Sequence, residues 1–131
     1  MKALNGRVLL VEDNSVNRLI GSAMLESLGL EVLLAEHGEE ALATLADASV
    51  AAVLMDCQMP VMDGYEATHR MREAERQNGR PRTPVIALTA NAFSSDVERC
   101  LAAGMDAHLA KPYTIEQLRA IIVPWLPGWG R

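Results

Sequence analysis

Five side chains in this sequence have the types and placement to do chemistry together: Glu12, Asp13, Asp56, Thr89 and Lys111. Each follows a short apolar run. Glu12-Asp13 comes after Val8-Leu-Leu-Val11, Asp56 after Val50-Ala-Ala-Val-Leu-Met55, Thr89 after Val85-Ile-Ala-Leu88 and Lys111 after His108-Leu-Ala110. A carboxylate that closes a buried run is costly unless a partner satisfies it. Three carboxylates brought together would repel one another and raise their own pKa values unless a cation joined them. Oxygen donors with no converging His or thiolate suit Mg²⁺ better than Zn²⁺. That combination is the chemistry of a metal-assisted phosphoryl acceptor: the cation neutralises oxygens on the incoming group while Asp56 attacks in line. Lys111 would pair with Asp56 or with a phosphoryl oxygen. Thr89 would donate to a second oxygen, and the small Ala90 beside it would leave the site open to a bulky donor.

Each residue also has a plainer use when taken alone. A strand-end Asp such as Asp56 commonly caps a turn or helix. Glu12-Asp13 could cap the helix that follows, for which Asn14 and Ser15 are equally good candidates. Lys111 alone would be a solvated surface lysine. Their joint placement at four strand ends favours the site.

The elements that must hold these residues follow from hydrophobic period. Continuous apolar runs near 7–11, 31–35, 50–55, 84–88 and 107–110 alternate with segments of helical period, which is the pattern of a buried parallel sheet. A first helix carries Val16, Leu19, Ile20, Ala23, Met24 and Leu28 on one face, expected to point inward, and ends at Gly29. A second spans about 38–47 through Ala41, Leu42 and Leu45. A third begins near Tyr65 and runs out in Gln77-Asn-Gly-Arg-Pro-Arg82. Ser95 with Glu98 suggests a capping box for a fourth, and Thr114 with Gln117 one for a fifth, whose inner face is Ile115, Leu118, Ile121 and Ile122. Five strands and five helices in alternation predict an α/β, doubly wound, flavodoxin-like sheet of order 2-1-3-4-5. Its ligand crevice would lie between strands 1 and 3, where the order reverses.

A chain of 131 residues is expected to form one domain with a proper core. Residues 6–123 form that domain, and the tail 124–131, which has lost helical period, is either the chain end or the start of a linker. No stretch approaches the apolar length of a membrane span, and Met1-Lys-Ala-Leu-Asn-Gly6 has no signal-peptide pattern, so a cytoplasmic chain without membrane contact is expected. The net charge of −5, with dispersed Lys and Arg, disfavours direct nucleic-acid binding. Cys57 and Cys100 have no metal or redox spacing and read as free, packed thiols. Asp63-Gly64 reads as a turn without chemistry. His37 and His69 are not spaced as ligands, and Trp125 and Trp129 could help dock a neighbouring domain.

The segments VLLVEDN, VLMDCQMPVMDGYEA, PVIALTANAF and GMDAHLAKP resemble the receiver domain of two-component response regulators, over about residues 6–123. The resemblance implies that Asp56 takes a phosphoryl group from a phosphohistidine. It implies Mg²⁺ held by Asp13, Asp56 and the backbone carbonyl of Gln58, with Glu12 acting largely through water. It makes Thr89 and Lys111 the hydroxyl and lysine of the site, with a cis Lys111-Pro112 bond aiming the lysine inward, and has Gln58 and Asn91 tune phosphoryl lifetime. It departs at His108, where output regulators usually carry Tyr or Phe, so the aromatic switch is expected to be altered. The run NxVNR after the acidic pair is similar to receivers attached to hybrid sensor histidine kinases. The implied partners are a histidine kinase and/or a histidine phosphotransfer protein, and a weak dimer is possible. A free-standing single-domain regulator is the alternative architecture. A flavodoxin-like cofactor binder would need a Gly-, Ser- or Thr-rich phosphate loop where this chain has Glu-Asp-Asn. A pseudo-receiver that acts only as a binding module would usually lack part of the acidic site.

Overall fold

The computed structural model describes residues 6–57, 59, 62–89 and 94–126, without the side chains of 94–96. Five strands are formed: β1 (Arg7–Val11), β2 (Glu31–Ala35), β3 (Ala52–Asp56), β4 (Val85–Thr89) and β5 (Ala107–Ala110). Five helices alternate with them: α1 (Ser15–Ser27), α2 (Gly38–Asp47), α3 (Gly64–Asn78), α4 (Ser94–Ala103) and α5 (Ile115–Ile122), followed by a 3₁₀ turn at Val123–Trp125. The sheet is parallel throughout, in the order β2-β1-β3-β4-β5, as expected from the alternation. The central strands β3 and β4 are buried at every position, which is why they read as unbroken apolar runs. Helices α2, α3 and α4 cover one face of the sheet, and α1 and α5 the other.

The register carries the chemistry to one end. Val11 lies opposite Met55, Asp56 opposite Leu88 and Thr89 opposite Ala110. Strands β3 and β4 begin one or two residues later than the apolar runs suggest and extend to include Asp56 and Thr89. Both residues are therefore the last rungs of their ladders, held by the sheet instead of by a loop.

The orientation of α1 corrects the expectation from the sequence. Its most apolar stripe faces solvent: Val16 is 62% exposed, Leu19 72% and Ile20 49%, and Ala23 is exposed as well. The buried face is Gly21, Leu25 and Leu28, with Met24 packed at its edge. The physical reason is close approach at Gly21. A Cβ there would lie 3.0 Å from Leu10 Cδ2 and 3.1 Å from the Tyr113 hydroxyl, so the backbone of α1 lies against the sheet at this point. In α5 the expected face does point inward: Leu118 and Ile122 are fully buried, and Ile115 and Ile121 pack against the same core.

Helix ends follow from local side chains. Asn14, with no help from Glu12 or Asp13, caps α1 by accepting from Asn17 N–H at 2.9 Å. Gly29 (φ 101°) follows the α1 C-terminus in the left-handed region that only glycine adopts freely. Asp63, read above as a plain turn, is the N-cap of α3 and accepts from Glu66 N–H at 2.9 Å. The same polar-then-Gly signal serves either purpose, so type alone did not separate them. Thr114 and Gln117 form the expected capping box. The Ser95–Glu98 box falls on a side chain outside the described residues. Packing extends past the last helix, since Leu126 is buried in the core beneath α1 and α5.

Candidate functional site

At the C-terminal ends of β1 and β3, where strand order reverses, Glu12, Asp13 and Asp56 each offer a carboxylate oxygen within 4.8 Å of the others. Glu12 and Asp56 are buried, while Asp13 is exposed at the mouth. The backbone of Glu12 is tied to the end of β2 by Glu12 N–H donating to Ala35 C=O at 3.0 Å. Lys111 reaches in from the end of β5. Its Nζ lies 3.3 Å from Asp56 Oδ1 and 3.3 and 3.4 Å from the two Glu12 carboxylate oxygens. Lys111 N–H donates to Thr89 C=O at 2.7 Å, which fixes the base of the lysine against β4. The Lys111-Pro112 peptide is cis.

The electrostatics are unbalanced. Burial pushes the Lys111 ammonium toward deprotonation, but the Asp56 and Glu12 carboxylates outweigh it, and its pKa stands above the ordinary lysine value. Even so, three carboxylates face one ammonium, leaving two negative charges in a partly buried cup. Buried charge of that kind is stable only when compensated. The donor set is all oxygen, so a hard divalent cation such as Mg²⁺ fits it and a thiophilic ion does not.

Two further features adjoin the cup. Thr89 Oγ1 is buried and has no hydrogen-bond partner among the described residues. A buried hydroxyl without a partner is uncommon and costs roughly 1–3 kcal/mol, so it invites a ligand oxygen. Gly64, the first residue of α3, rests on the backbone of Asp56. A Cβ there would collide with the Asp56 carbonyl oxygen and come within 2.9 Å of Cys57 Cα. Glycine at this position lets the α3 N-terminus close over the end of β3.

The structure thus brings Glu12, Asp13, Asp56, Thr89 and Lys111 to one strand-end site. His108 lies apart, half-buried on the edge strand β5 opposite Ala87. Gln58, Asn91 and Ala90 lie outside the described residues. Cys57 is a packed thiol: burial pushes its pKa up to about 12, with smaller contributions from Cys100 and Asp56 that outweigh a hydrogen bond from Tyr65. Three features were not anticipated. Arg18 donates to the backbone carbonyl of Glu12. Arg99 of α4 lies 4.1 Å over the Tyr65 ring and 3.8 Å from Asp63. A cavity of about 360 Å³ opens beside the cup between α1 and the residues after β5, lined by Ile20, Met24, Pro112 and Tyr113. Most of these residues lay in runs noted above, but residue type did not mark the contacts that Arg18, Arg99 and the cavity lining make.

The fold and site define a flavodoxin-like α/β domain with an acidic, lysine-bearing cup at its topological switch point. The chain belongs to the response regulator receiver domain family, whose model matches residues 8–123. It is 39% identical over 119 residues to the sensor protein GacS of Pseudomonas syringae pv. syringae, covering 91% of this chain and 13% of that protein. It is 37% identical over 124 residues to hybrid signal transduction histidine kinase A of Dictyostelium discoideum, covering 94% of this chain and 6% of that protein. The chain therefore spans only a small part of the curated relatives it matches. Among solved structures it is similar to the receiver domain of a sensor histidine kinase from Pseudomonas aeruginosa PAO1, with a magnesium ion in its active site cleft. That match has a TM-score of 0.82 at 45% identity and covers 92% of this chain and 97% of that one. It is also similar to a Saccharomyces cerevisiae receiver domain crystallised with a histidine phosphotransfer protein, with a TM-score of 0.90 at 30% identity over 95% of this chain and 91% of that one. Among the described residues no helix is long and apolar enough to cross a membrane.

Proposed function

We propose that residues 6–123, with packing that runs on to Leu126, are a phosphoacceptor unit in which Asp56 takes a phosphoryl group from a phosphohistidine. The observation that carries this reading is the convergence of three carboxylates and an ammonium at one strand-end cup, beside a buried hydroxyl with no partner among the described residues. A carboxylate oxygen of Asp56 forms the new O–P bond as the P–N bond to the donor imidazole breaks, and the freed imidazole leaves with a proton from solvent. Lys111 exchanges part of its pairing with Asp56 for a phosphoryl oxygen. Thr89 donates its free hydroxyl to another. Glu12, Asp13 and Asp56, with the backbone carbonyl of Gln58, would hold Mg²⁺, which supplies charge neutralisation for the phosphoryl oxygens.

The donor is a histidine kinase or a histidine phosphotransfer protein, and the parent is a hybrid histidine kinase. The outward apolar stripe of α1 supports this partner. Val16, Leu19 and Ile20 stand exposed beside Asp13, and the cavity lined by Ile20, Met24 and Tyr113 adjoins the cup. An exposed apolar patch of this kind next to a reactive centre is a seat for the protein that brings the phosphohistidine. His108 and Asn91 are assigned to readout and phosphoryl lifetime, and signalling follows from a population shift involving α4, β5 and α5.

The test is incubation with acetyl phosphate and Mg²⁺ followed by intact mass measurement. One phosphoryl mass is expected on the wild type and none on Asp56→Ala. Equal labelling of the two proteins, or no labelling of the wild type, refutes the assignment.

A further inference from the structure

We propose that Arg18 is a positioning residue for the cation site, holding the backbone that presents Glu12 and Asp13; the inference rests on the reading above. Arg18 Nη1 donates to Glu12 C=O at 2.8 Å and lies 3.5 Å from Asp13 C=O, while Nη2 pairs with Glu36 Oε1 at 3.3 Å. The Arg18 side chain is 17% exposed and that of Glu36 61% exposed, so the guanidinium is held inside and the carboxylate approaches from the surface.

The local sequence builds this contact. Asn14 caps α1, and Arg18 N–H then makes the first helical bond to Asn14 C=O at 2.9 Å. One turn into the helix, the Arg18 side chain folds back over residues 12 and 13. The Glu12 peptide is consequently gripped on both sides, its N–H by Ala35 and its C=O by Arg18. The carboxylates of Glu12 and Asp13 leave the chain at those same two residues. Asp13 is the exposed member of the cup and depends most on its backbone for placement. Among the described residues, Arg18 is the side chain that reaches both carbonyls.

The guanidinium has two opposed effects on a cation. Its charge repels the ion, an effect reduced by Glu36, while its planar group, held by Glu36 on one side, keeps Nη1 over the carbonyls of both ligand residues. We take the ordering to be the larger, because losing a group that orients metal ligands typically costs about 10–100-fold in affinity. The two effects separate in a direct binding measurement with Mn²⁺ as the probe, followed by the electron paramagnetic resonance signal of the free ion. Arg18→Ala and Arg18→Lys are both expected to weaken Mn²⁺ binding by roughly tenfold, since lysine keeps the charge but has no planar group to hold one nitrogen over both carbonyls while pairing with Glu36. A urea unfolding midpoint near that of the wild type shows that a variant is folded, so that its weaker binding is not a general loss of structure. Glu36→Gln, which leaves the carbonyl contacts in place, should change Mn²⁺ binding little. Arg18→Lys serves if the alanine variant does not fold. Binding by a folded Arg18 variant within twofold of the wild type, or tighter than it, overturns the inference alone. Failure of the wild type to bind Mn²⁺ overturns the cation site itself, and this inference with it.

Discussion

The two faces of the sheet are packed with different materials. Beneath α2, α3 and α4 the buried core holds Met55, Met59, Met62, Met71 and Met105 together with Cys57 and Cys100. Beneath α1 and α5 the buried residues described are Val, Leu, Ile and Ala, and sulfur enters at the edge, in the half-buried Met24. Methionine is unbranched and polarizable and fills irregular gaps, whereas branched aliphatics in close packing specify one arrangement. The difference falls where the proposed function needs it. The aliphatic face fixes α1 and the cation loop it grips, and it anchors the segment that carries Lys111. The sulfur-rich face underlies helix α4, one of the elements that must rearrange if phosphorylation is to be read out. One side is a platform and the other is a compliant bed.

The comparison is broken or sharpened first by truncating a core residue on each face. Leu118 is fully buried on the aliphatic face and Met71 nearly so on the other. Leu118→Ala should cost about 4 kcal/mol, high in the range for buried truncations, because its branched neighbours cannot collapse into the hole. Met71→Ala should cost about 2 kcal/mol, since flexible methionines around it can refill the space. Urea denaturation of the two variants measures both. Equal costs would mean that the two faces are mechanically alike and that sulfur content has no bearing on compliance.

What the sequence disclosed and what it hid divide along a related line. The strand ends were legible because a short apolar run closed by Asp56 or Thr89 leaves little choice of where a buried strand stops. The order β2-β1-β3-β4-β5 followed from the alternation of elements. The inward face of α1 was not legible, because period locates a stripe without saying which side of the helix meets the sheet. That side was decided by Gly21, whose missing Cβ allows close approach to Leu10 and Tyr113. Nor was the reach of Arg18 visible. Its partners are backbone carbonyls, which every residue has, so no residue type marks the contact. The cup itself could be read because four reactive side-chain types at four strand ends are rare by chance.

Alkaline pH offers a smaller effect confined to the sulfur-rich face. The Cys57 thiol is raised from 9.0 to about 12, chiefly by burial, with Cys100 adding to the rise. In the folded protein the thiol stays protonated where the unfolded chain would ionise it. The folded state then binds more protons than the unfolded one, and stability falls as pH rises from 9.0 toward about 12. Below pH 9.0 this contribution is fully present. Urea denaturation repeated from neutral pH to pH 11 should show a shallower decline for Cys57→Ala than for wild type. Parallel declines would assign the alkaline loss to other groups, such as Tyr65, whose pKa burial also raises.

The smallest effect concerns how α4 is held on its compliant bed. Arg99 lies over the Tyr65 ring at 4.1 Å and 3.8 Å from the carboxylate of Asp63, so α4 is tied to the N-cap and first turn of α3, whose Gly64 rests on the Asp56 backbone. Both Arg99 and Asp63 are substantially exposed, and such contacts contribute only about 0.5–1 kcal/mol. Arg99→Ala should therefore lower stability by less than about 1 kcal/mol in the same urea series. A tie this weak matters for a different quantity. If resting and phosphorylated arrangements of α4 differ by a few kcal/mol, about 1 kcal/mol shifts their ratio roughly fivefold. Amide hydrogen exchange in α4 should accordingly rise several-fold in Arg99→Ala, while exchange in α5, on the aliphatic platform, stays at the wild-type rate. A matching rise in α5 would show that the two faces open together, and the division between platform and bed would not survive it.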